Sequence, residues 1–440
     1  MPNSSKKRKD RPFTVRFFNT VEPVAPLYRD LIPYWISSGW RVEVVMSRAE
    51  YRADSNREWL TERVAPAAHD VTKRYSSKKK SSHENKISSH SSTERVKIRW
   101  TPSFGLKARK KAAKSIIMAA YVTVAAFKSL FGPTVDRNIF LTQPPLFFVW
   151  GVILKKLRRQ PYFIVLMDLY PDVVIQAKLL KAGSFMAKML TRISKYGLCR
   201  AEKVISIGRC MTQRLLNYGV EKDRIRLIPN WTNPDKILPV PNEENSLRKE
   251  KGWQDKFVVL YSGNIGVTHY FDDILNVCLK LRKNPGILFV FIGYGQRLRE
   301  IASFKKKHNL DNIELLPFQD RDKLSHSLSA GDIHFVSLRE GFEGLVVPSK
   351  TYGIFAAGRP VIYQGDPHGE IAYVIAEEKV GRVVAPANPE GLEEAILTYL
   401  NDPLLAYDQG GKARQLAEAR YNSRLACETY SHALKTRGLF

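Results

Sequence analysis

The feature that most constrains this chain is a set of short apolar runs that do not alternate with polar residues. Residues 162–167 (YFIVLM), 257–262 (FVVLYS), 287–292 (ILFVFI) and 333–337 (IHFVS) each end in a polar or Gly-containing turn, and a segment with helical spacing follows. A strand with one wet face alternates apolar and polar residues. A run that stays apolar is buried on both faces, which requires a parallel sheet covered by helices on each side. Segments at 13–18, 41–46, 138–142, 203–207, 225–228, 313–316 and 360–363 keep the same strand–helix rhythm. The predicted fold class is α/β, in two doubly wound halves.

A length of 440 residues suits two such domains. The predicted division is a first domain over 1–240, a second over 241–415 and a C-terminal helix over 416–440, with 229–254, rich in Pro, Asn and Lys, as the linker. Residues 48–115 interrupt the rhythm. Within them, 71–115 carry Lys78-Lys79-Lys80 and many serines and are predicted to be a basic, mobile insertion. His69, His83 and His90 have no ligand spacing, so no metal site is expected there.

Charge separates the halves. Residues 1–240 hold 45 Lys and Arg against 18 Asp and Glu, whereas 241–440 hold 25 of each, so the first half carries the whole formal net charge of +27. An excess confined to one domain describes that domain's partner. An anionic membrane surface is the partner expected. Nucleic acid is not, because the basic stretch offers few aromatics for base stacking (Tyr75, Trp100 and Phe104). The segment 107–131 leads from a basic turn into an apolar helix. One reading is a core helix of the first domain; the other is a membrane-surface helix, with its lysines on phospholipid head groups and Ile116, Ile117, Met118 and Phe127 in the acyl boundary, and both can hold along one helix. The uncharged runs 115–127 and 138–154 are too short, or too broken by Pro144-Pro145, to span a bilayer. Cys199, Cys210, Cys278 and Cys427 form no ligand spacing and read as reduced thiols of a cytoplasmic protein.

In doubly wound sheets ligands bind at the carboxyl ends of strands. There the chain places Asp168-Leu169-Tyr170-Pro171-Asp172, Gly263-Asn264-Ile265-Gly266, Gly293-Tyr294-Gly295 and the run 338–350 (LREGFEGLVVPSK). Glycine permits close backbone approach to a ligand, and a helix opening at Pro348-Ser349 offers N–H groups to an anion with Lys350 as counter-charge.

With these residues in view, 257–400 resemble the nucleotide-binding half of a family-4 (group 1) glycosyltransferase of GT-B fold. The resemblance rests on LYSGNIG, FIGYGQRLREI, NIELLPFQDRDKLSHSLSAGDIHFVSL and EGFEGLVVPSKTYGIFAAGRPVI, in that order. In the first half TQPPLF, DLYPD and CRAEKVISIGRCMTQRLLNYGVEKDRIRLIPNW agree, so it spans roughly 13–60 and 138–435. The PSKxYxxxAxGRPVI segment is similar to enzymes that build bacterial cell-surface polysaccharides.

The resemblance implies two Rossmann-like domains facing a cleft, with the C-terminal helix packing back on the first. It implies transfer of a sugar from a nucleotide donor, UDP- or GDP-linked, with retained configuration and neither metal nor cofactor. The acceptor implied is a lipid-linked or other saccharide, bound by a peripheral protein on the cytoplasmic face of the membrane. The donor would lie against Gly263, Asn264, Gly266, Gly293, Tyr294, Phe318, Arg339, Gly344, Pro348 and Ser349. Asp168 would hold or deprotonate the acceptor hydroxyl, Glu340 or Glu343 would face the donor sugar, and Lys350 would stabilise the leaving diphosphate.

Three departures from the family pattern stand out. The second of two glutamates that relatives carry falls on Gly353. The Arg and Lys that clamp the diphosphate after the first Gly loop are replaced by Val267-Thr268-His269-Tyr270, so that Lys350, the helix start and Arg339 would have to serve. Residues 19–26 replace the Gly-Gly loop after the first strand. Alternatives that remain are a sugar-nucleotide epimerase of the same fold, a catalytically silent GT-B protein and a polyanion-binding scaffold.

Overall fold

The computed structural model describes residues 11–18, 26–47, 95–101 and 111–436. Two sheets organise it. The first has seven strands: β1 (Thr14–Phe18), β2 (Arg41–Ser47), β3 (Val96–Thr101), β4 (Arg137–Leu141), β5 (Tyr162–Leu166), β6 (Lys203–Ser206) and β7 (Ile225–Leu227), in the spatial order β3-β2-β1-β4-β5-β6-β7. The second has six: β8 (Phe257–Ser262), β9 (Ile287–Ile292), β10 (Ile313–Leu316), β11 (Ile333–Ser337), β12 (Val361–Gln364) and β13 (Gly381–Val384), in the order β10-β9-β8-β11-β12-β13. Every pairing is parallel. Both orders reverse once, at β1/β4 and at β8/β11. That is the doubly wound pattern of a Rossmann-like domain, whose ligand crevice opens at the reversal.

The apolar runs are buried as their composition demands: all five residues of β5 and all six of β9 are inaccessible. Helices cover both faces of each sheet. Several begin at a side-chain cap, with Ser184, Asn245, Asn388, Asp402 and Asn422 accepting from backbone N–H groups of the first turn.

β3 lies inside the stretch predicted to be a mobile insertion, which corrects that reading for 96–101. VKIRWT pairs with β2 over six residues, and Arg99 lies 2.6 Å from Glu43, which also pairs with the buried Arg16 at 2.9 Å. A carboxylate buried beside one cation and flanked by a second gives the strand a fixed seat. Most of the remainder of 71–115 lies outside the described residues, as do residues 19–25 and the three histidines His69, His83 and His90.

The helix α2, Lys111–Phe131, follows α1 (Pro26–Ser37) in chain order. Its inward side is Ile117, Tyr121, Ala125 and Ser129, all buried, so Ile117 is core and the membrane-facing role expected of it is corrected. Ile116 (53% exposed), Phe127 (63%) and Phe131 (67%) point outward, in line with the exposed Ala119 and Thr123. Among the described residues no helix is long and apolar enough to cross a membrane.

The expected C-terminal helix is two helices, Pro403–Ala419 and Ser423–Lys435, because Asn422 breaks the first and caps the second. The last one packs on the first domain. Trp35 donates to Ser431 Oγ at 2.8 Å, Arg137 Nε donates to the Leu434 carbonyl at 2.9 Å, and Cys427, Tyr430 and Leu434 join the core around Trp35 and Trp40.

Candidate functional site

The reversal point of the second sheet brings together the residues that follow β8, β9 and β11. The Gly263–Gly266 turn and the Gly293–Gly295 turn stack backbone on backbone: Gly263 N–H donates to the Ile292 carbonyl and Ile265 N–H to the Tyr294 carbonyl, each at 2.9 Å. Gly293 sits at φ +142°, and a Cβ there would lie 2.0 Å from the Gly263 carbonyl oxygen, so only glycine fits. Gly263 has φ +135°, and the space where its side chain would begin lies 3.2 Å from Lys350 Cε and 3.4 Å from Lys350 Nζ.

Lys350 opens the short helix α3, Lys350–Ala356. Its Nζ is buried without a hydrogen-bond partner and sits 3.7 Å from the centroid of the Tyr261 ring. Burial drives its pKa well below the ordinary lysine value. Next to it His269 places Nδ1 2.6 Å from the Ser337 carbonyl oxygen. Burial first, and the nearby lysine second, push the His269 pKa down to about 3, so this imidazole is neutral and Nδ1 is the donor.

Tyr294 (49% exposed) and Phe318 (40% exposed) make an edge-to-face pair, ring centroids 5.5 Å apart, at the open end of the same turn system. Two aromatic faces accessible at a strand end suit a planar heterocycle. Asn264 lies at the tip, its backbone carbonyl accepting from Tyr261 Oη at 2.6 Å, and its Nδ2 covers Gly266. Arg339 is exposed, its backbone N–H bonded to the Thr268 carbonyl at 2.9 Å. Pro348 is buried and Ser349 exposed, and Ser349 precedes α3 without a side-chain cap. Gly353 faces Leu328 and Ile237, so a carboxylate at this position would enter an apolar contact.

The remaining predicted residues gather elsewhere, on the seam between the domains. The loop 339–346 reaches across to the first domain. Gln176 Nε2 donates to the Glu340 carbonyl at 3.0 Å, Leu169 N–H to the Leu345 carbonyl at 3.0 Å, and Arg214 Nε to the Glu343 carbonyl at 2.6 Å. Phe342 and Leu345 join one apolar cluster with Leu169, Val173, Met211 and Leu215. Gly344 lies against the Cys210 carbonyl of the first domain rather than beside the Gly263 turn, since a Cβ there would be 2.7 Å from that oxygen. The Glu343 carboxylate turns back to accept from Gly341 N–H at 2.8 Å, and burial raises its pKa. Glu340 is solvent-exposed. On the facing side Asp168 follows β5, its N–H donating to Thr142 Oγ1 at 3.2 Å, and burial raises its pKa to about 6.

A second set of contacts strengthens this seam. Arg209 bonds Glu370 through its backbone and side chain and pairs with Glu377 at 2.6 Å, while Cys210 Sγ donates to the His368 carbonyl at 3.2 Å. Sequence reasoning did not pick out Gln176, Arg209, Arg214 or Tyr261. The first three act through partners more than 120 positions away, and no local signal marks them. Tyr261 had one available signal, an aromatic side chain one residue before the strand end that meets the Gly turn. Among the described residues no three or more His, Cys, Asp or Glu side chains come together in a way that could hold a metal ion.

Comparison with known proteins agrees with this geometry. Residues 243–421 match the family model described as glycosyl transferases group 1. The chain is 28% identical over 299 residues to a Pseudomonas aeruginosa protein named as glycosyltransferase WbjE, covering 67% of this chain and 73% of that one. It is 26% identical over 288 residues to the Escherichia coli protein named as colanic acid biosynthesis glycosyl transferase WcaI, covering 64% and 70%. Among solved structures, Anabaena HepE in complex with UDP and glucose superposes with a TM-score of 0.68 at 14% identity, over 96% of this chain and 99% of that one. WaaG, a glycosyltransferase involved in lipopolysaccharide biosynthesis, superposes with 0.63 at 15% identity, over 94% and 98%. Two Rossmann-like domains with reversed strand order, a glycine-lined crevice in the second and a match of residues 243–421 to the group 1 family model make this chain similar to group 1 glycosyltransferases, with a GT-B fold.

Proposed function

We propose that the chain moves a sugar from a nucleoside-diphosphate sugar to a lipid-linked saccharide, with retained configuration and without a metal ion, in the assembly of a surface polysaccharide. The observation that carries this reading is the buried, unpartnered ammonium position of Lys350 beneath the Gly263 turn. A cation with no acidic neighbour in hydrogen-bond reach, under a turn that glycine keeps open, suits a ligand that brings its own negative charge. Polysaccharide assembly is supported by the name of WcaI, and the donor class by HepE, which was solved with UDP-glucose.

Each group then has a task. The base stacks at Tyr294 and Phe318, and the diphosphate lies over Gly263 with Lys350 beneath it. The bond from the anomeric carbon to the diphosphate oxygen breaks while a bond to the acceptor oxygen forms on the same face. Lys350 stabilises the charge that develops on the leaving diphosphate. Asp168 takes the acceptor proton. Glu340, exposed at the seam, hydrogen-bonds the donor sugar, while Glu343 holds the loop in shape from within. The test is a panel of nucleotide sugars, assayed for turnover on a polyprenyl-diphosphate-sugar acceptor. Acceptor-dependent release of nucleoside diphosphate is expected; release that ignores the acceptor would mark an epimerase instead.

The acceptor's lipid places the first domain at the cytoplasmic face of a membrane in this reading. The supporting observation is the outward line of α2, from Ile116 through Ala119, Thr123 and Phe127 to Phe131, in which Thr123 Oγ1 is satisfied by the Ala119 carbonyl. The Phe127 and Phe131 rings lie tilted at 43° with centroids 4.5 Å apart, and Leu157 (67% exposed) lies on the following helix, whose last turn carries Lys155, Lys156 and Arg158. An apolar face beside cations fits the boundary between head groups and acyl chains. Flotation with phosphatidylglycerol vesicles should recover the protein at low salt. Replacing Phe127 and Phe131 together by Glu should cut recovery by about tenfold or more, given roughly 1.5–3 kcal/mol for each buried aromatic. Equal recovery of both proteins, or none of either, would count against the assignment.

A further inference from the structure

Lys350 is the one lysine among the described residues whose nitrogen is buried without a hydrogen-bond partner. The groups that the structure sets beside it are neutral. From β8 comes the Tyr261 ring, whose hydroxyl donates to the Asn264 carbonyl at 2.6 Å. From the 263–270 turn comes His269, donating to the Ser337 carbonyl. From β11 comes His334, buried, with Nε2 2.8 Å from the Leu328 carbonyl oxygen and thus the donor. Burial holds His334 at about 4 and His269 at about 3 and lifts Tyr261 above its usual range, so none of the three changes charge near neutral pH. The guanidiniums that act on the two histidines are committed: Arg297 to Glu300, Asp272 and the His269 carbonyl, and Arg359 to the Val240 and Ser329 carbonyls and Asn242. Neither a carboxylate nor a carbonyl is positioned to hold a proton on Lys350.

Resting on the donor-site reading above, we propose that Lys350 is a neutral amine in the ligand-free protein and that a nucleoside diphosphate seated over the Gly263 turn draws one proton from solvent onto it. Donor binding is therefore linked to proton uptake. The amine gains a proton and becomes an ammonium, and the diphosphate supplies the counter-charge that the protein withholds. A ligand oxygen in the space left open at Gly263 would sit near the position 3.4 Å from Nζ where a side chain would begin. Burial pushes the lysine toward the neutral form, in accord with the geometry. By linkage, affinity weakens as pH rises above the pKa of the free amine, because the proton becomes harder to recruit.

The test is calorimetric titration of the full chain with UDP, GDP, dTDP and ADP at pH about 8, in Tris and in HEPES, whose different ionisation heats reveal protons exchanged. At that pH the diphosphate has already lost its own last proton. The expected result is uptake of close to one proton per nucleotide bound, with affinity falling by up to about tenfold per pH unit between about pH 7.5 and 8.5. Lys350→Met should bind weakly and without uptake. If its binding is too weak to measure, Lys350→Arg, permanently charged, should bind without uptake. Tight binding to the unaltered protein with no proton exchanged would overturn the proposal while leaving the donor site in place. Uptake that persists in either variant would also overturn it. Failure of every nucleoside diphosphate to bind would overturn the donor-site reading itself.

Discussion

Lys350→Met is expected to reduce kcat/KM by about 10²–10³-fold while making the fold more stable. Loss of rate follows from removing the one cation placed under the Gly263 turn, where negative charge develops on the leaving group; deleting a preorganised electrostatic group of this kind costs about that much. The gain in stability follows from the same burial. An unsatisfied polar group inside a protein costs about 1–3 kcal/mol, and methionine fills a similar volume without that cost. For a domain of this size each kcal/mol raises Tm by about 2–4 °C. The sign with pH is fixed. Because burial depresses the folded pKa, folding releases a proton wherever pH lies between the folded and the unfolded values, so this cost shrinks as pH rises toward the unfolded lysine value. The stability gap between the two proteins should therefore narrow in alkaline buffer. A variant that keeps full activity, or that is destabilised at pH 7, would remove Lys350 from the site.

Asp168→Asn is the second large effect. Activity should fall by about 10²–10⁴-fold, the span that a positioned general base supplies. In the unaltered enzyme kcat/KM should decline below about pH 6, where the buried carboxyl takes up its proton. Burial lifts this pKa from 3.8 to about 6, so the folded state holds the proton more tightly than the unfolded chain. Stability from this group is therefore fully present below 3.8 and is lost as pH rises through about 6. At pH 7 the Asn variant should be more stable than the parent by roughly 2–3 kcal/mol, measured by urea unfolding, and the difference should vanish near pH 4. An inactive variant with unchanged stability at both pH values would leave the carboxylate's burial unsupported.

The fold was legible because burial on both faces leaves a signature within each strand. YFIVL and ILFVFI admit no other environment than the centre of a parallel sheet. β3 was not legible, because VKIRWT alternates and sits beside a run of lysines and serines; its place depends on β2 and on the Glu43 carboxylate, 56 positions before Arg99. In α2 the sequence shows an apolar helix but not which side meets the sheet, so neighbouring Ile116 and Ile117 received one role although the first faces outward and the second is core.

The candidate site divides in the same way. Glycines at strand ends and the Pro348-Ser349-Lys350 helix start are local, and the Gly263, Gly293 and Lys350 cluster was visible in them. What isolates Lys350 is not local. The neutral His269 and His334 and the Tyr261 ring come from three separate segments. Likewise the EGFEG run reads as a loop facing the donor, whereas its Glu340 and Glu343 carbonyls and that of the following Leu345 are held by Gln176, Arg214 and Leu169 of the first domain. That seam is a product of chain topology, and no spacing within the loop announces it.

If the crevice at the strand reversal of the second domain receives a nucleoside-diphosphate sugar, thermal unfolding of the unaltered chain and of Lys350→Met against a panel of UDP-, GDP-, dTDP- and ADP-linked sugars will separate the two proteins. At least one nucleotide sugar should raise the Tm of the unaltered protein, and the same compound should leave Lys350→Met unmoved. A panel in which no nucleotide sugar shifts the unaltered protein, or in which the shift survives undiminished without Lys350, would contradict that placement of the donor.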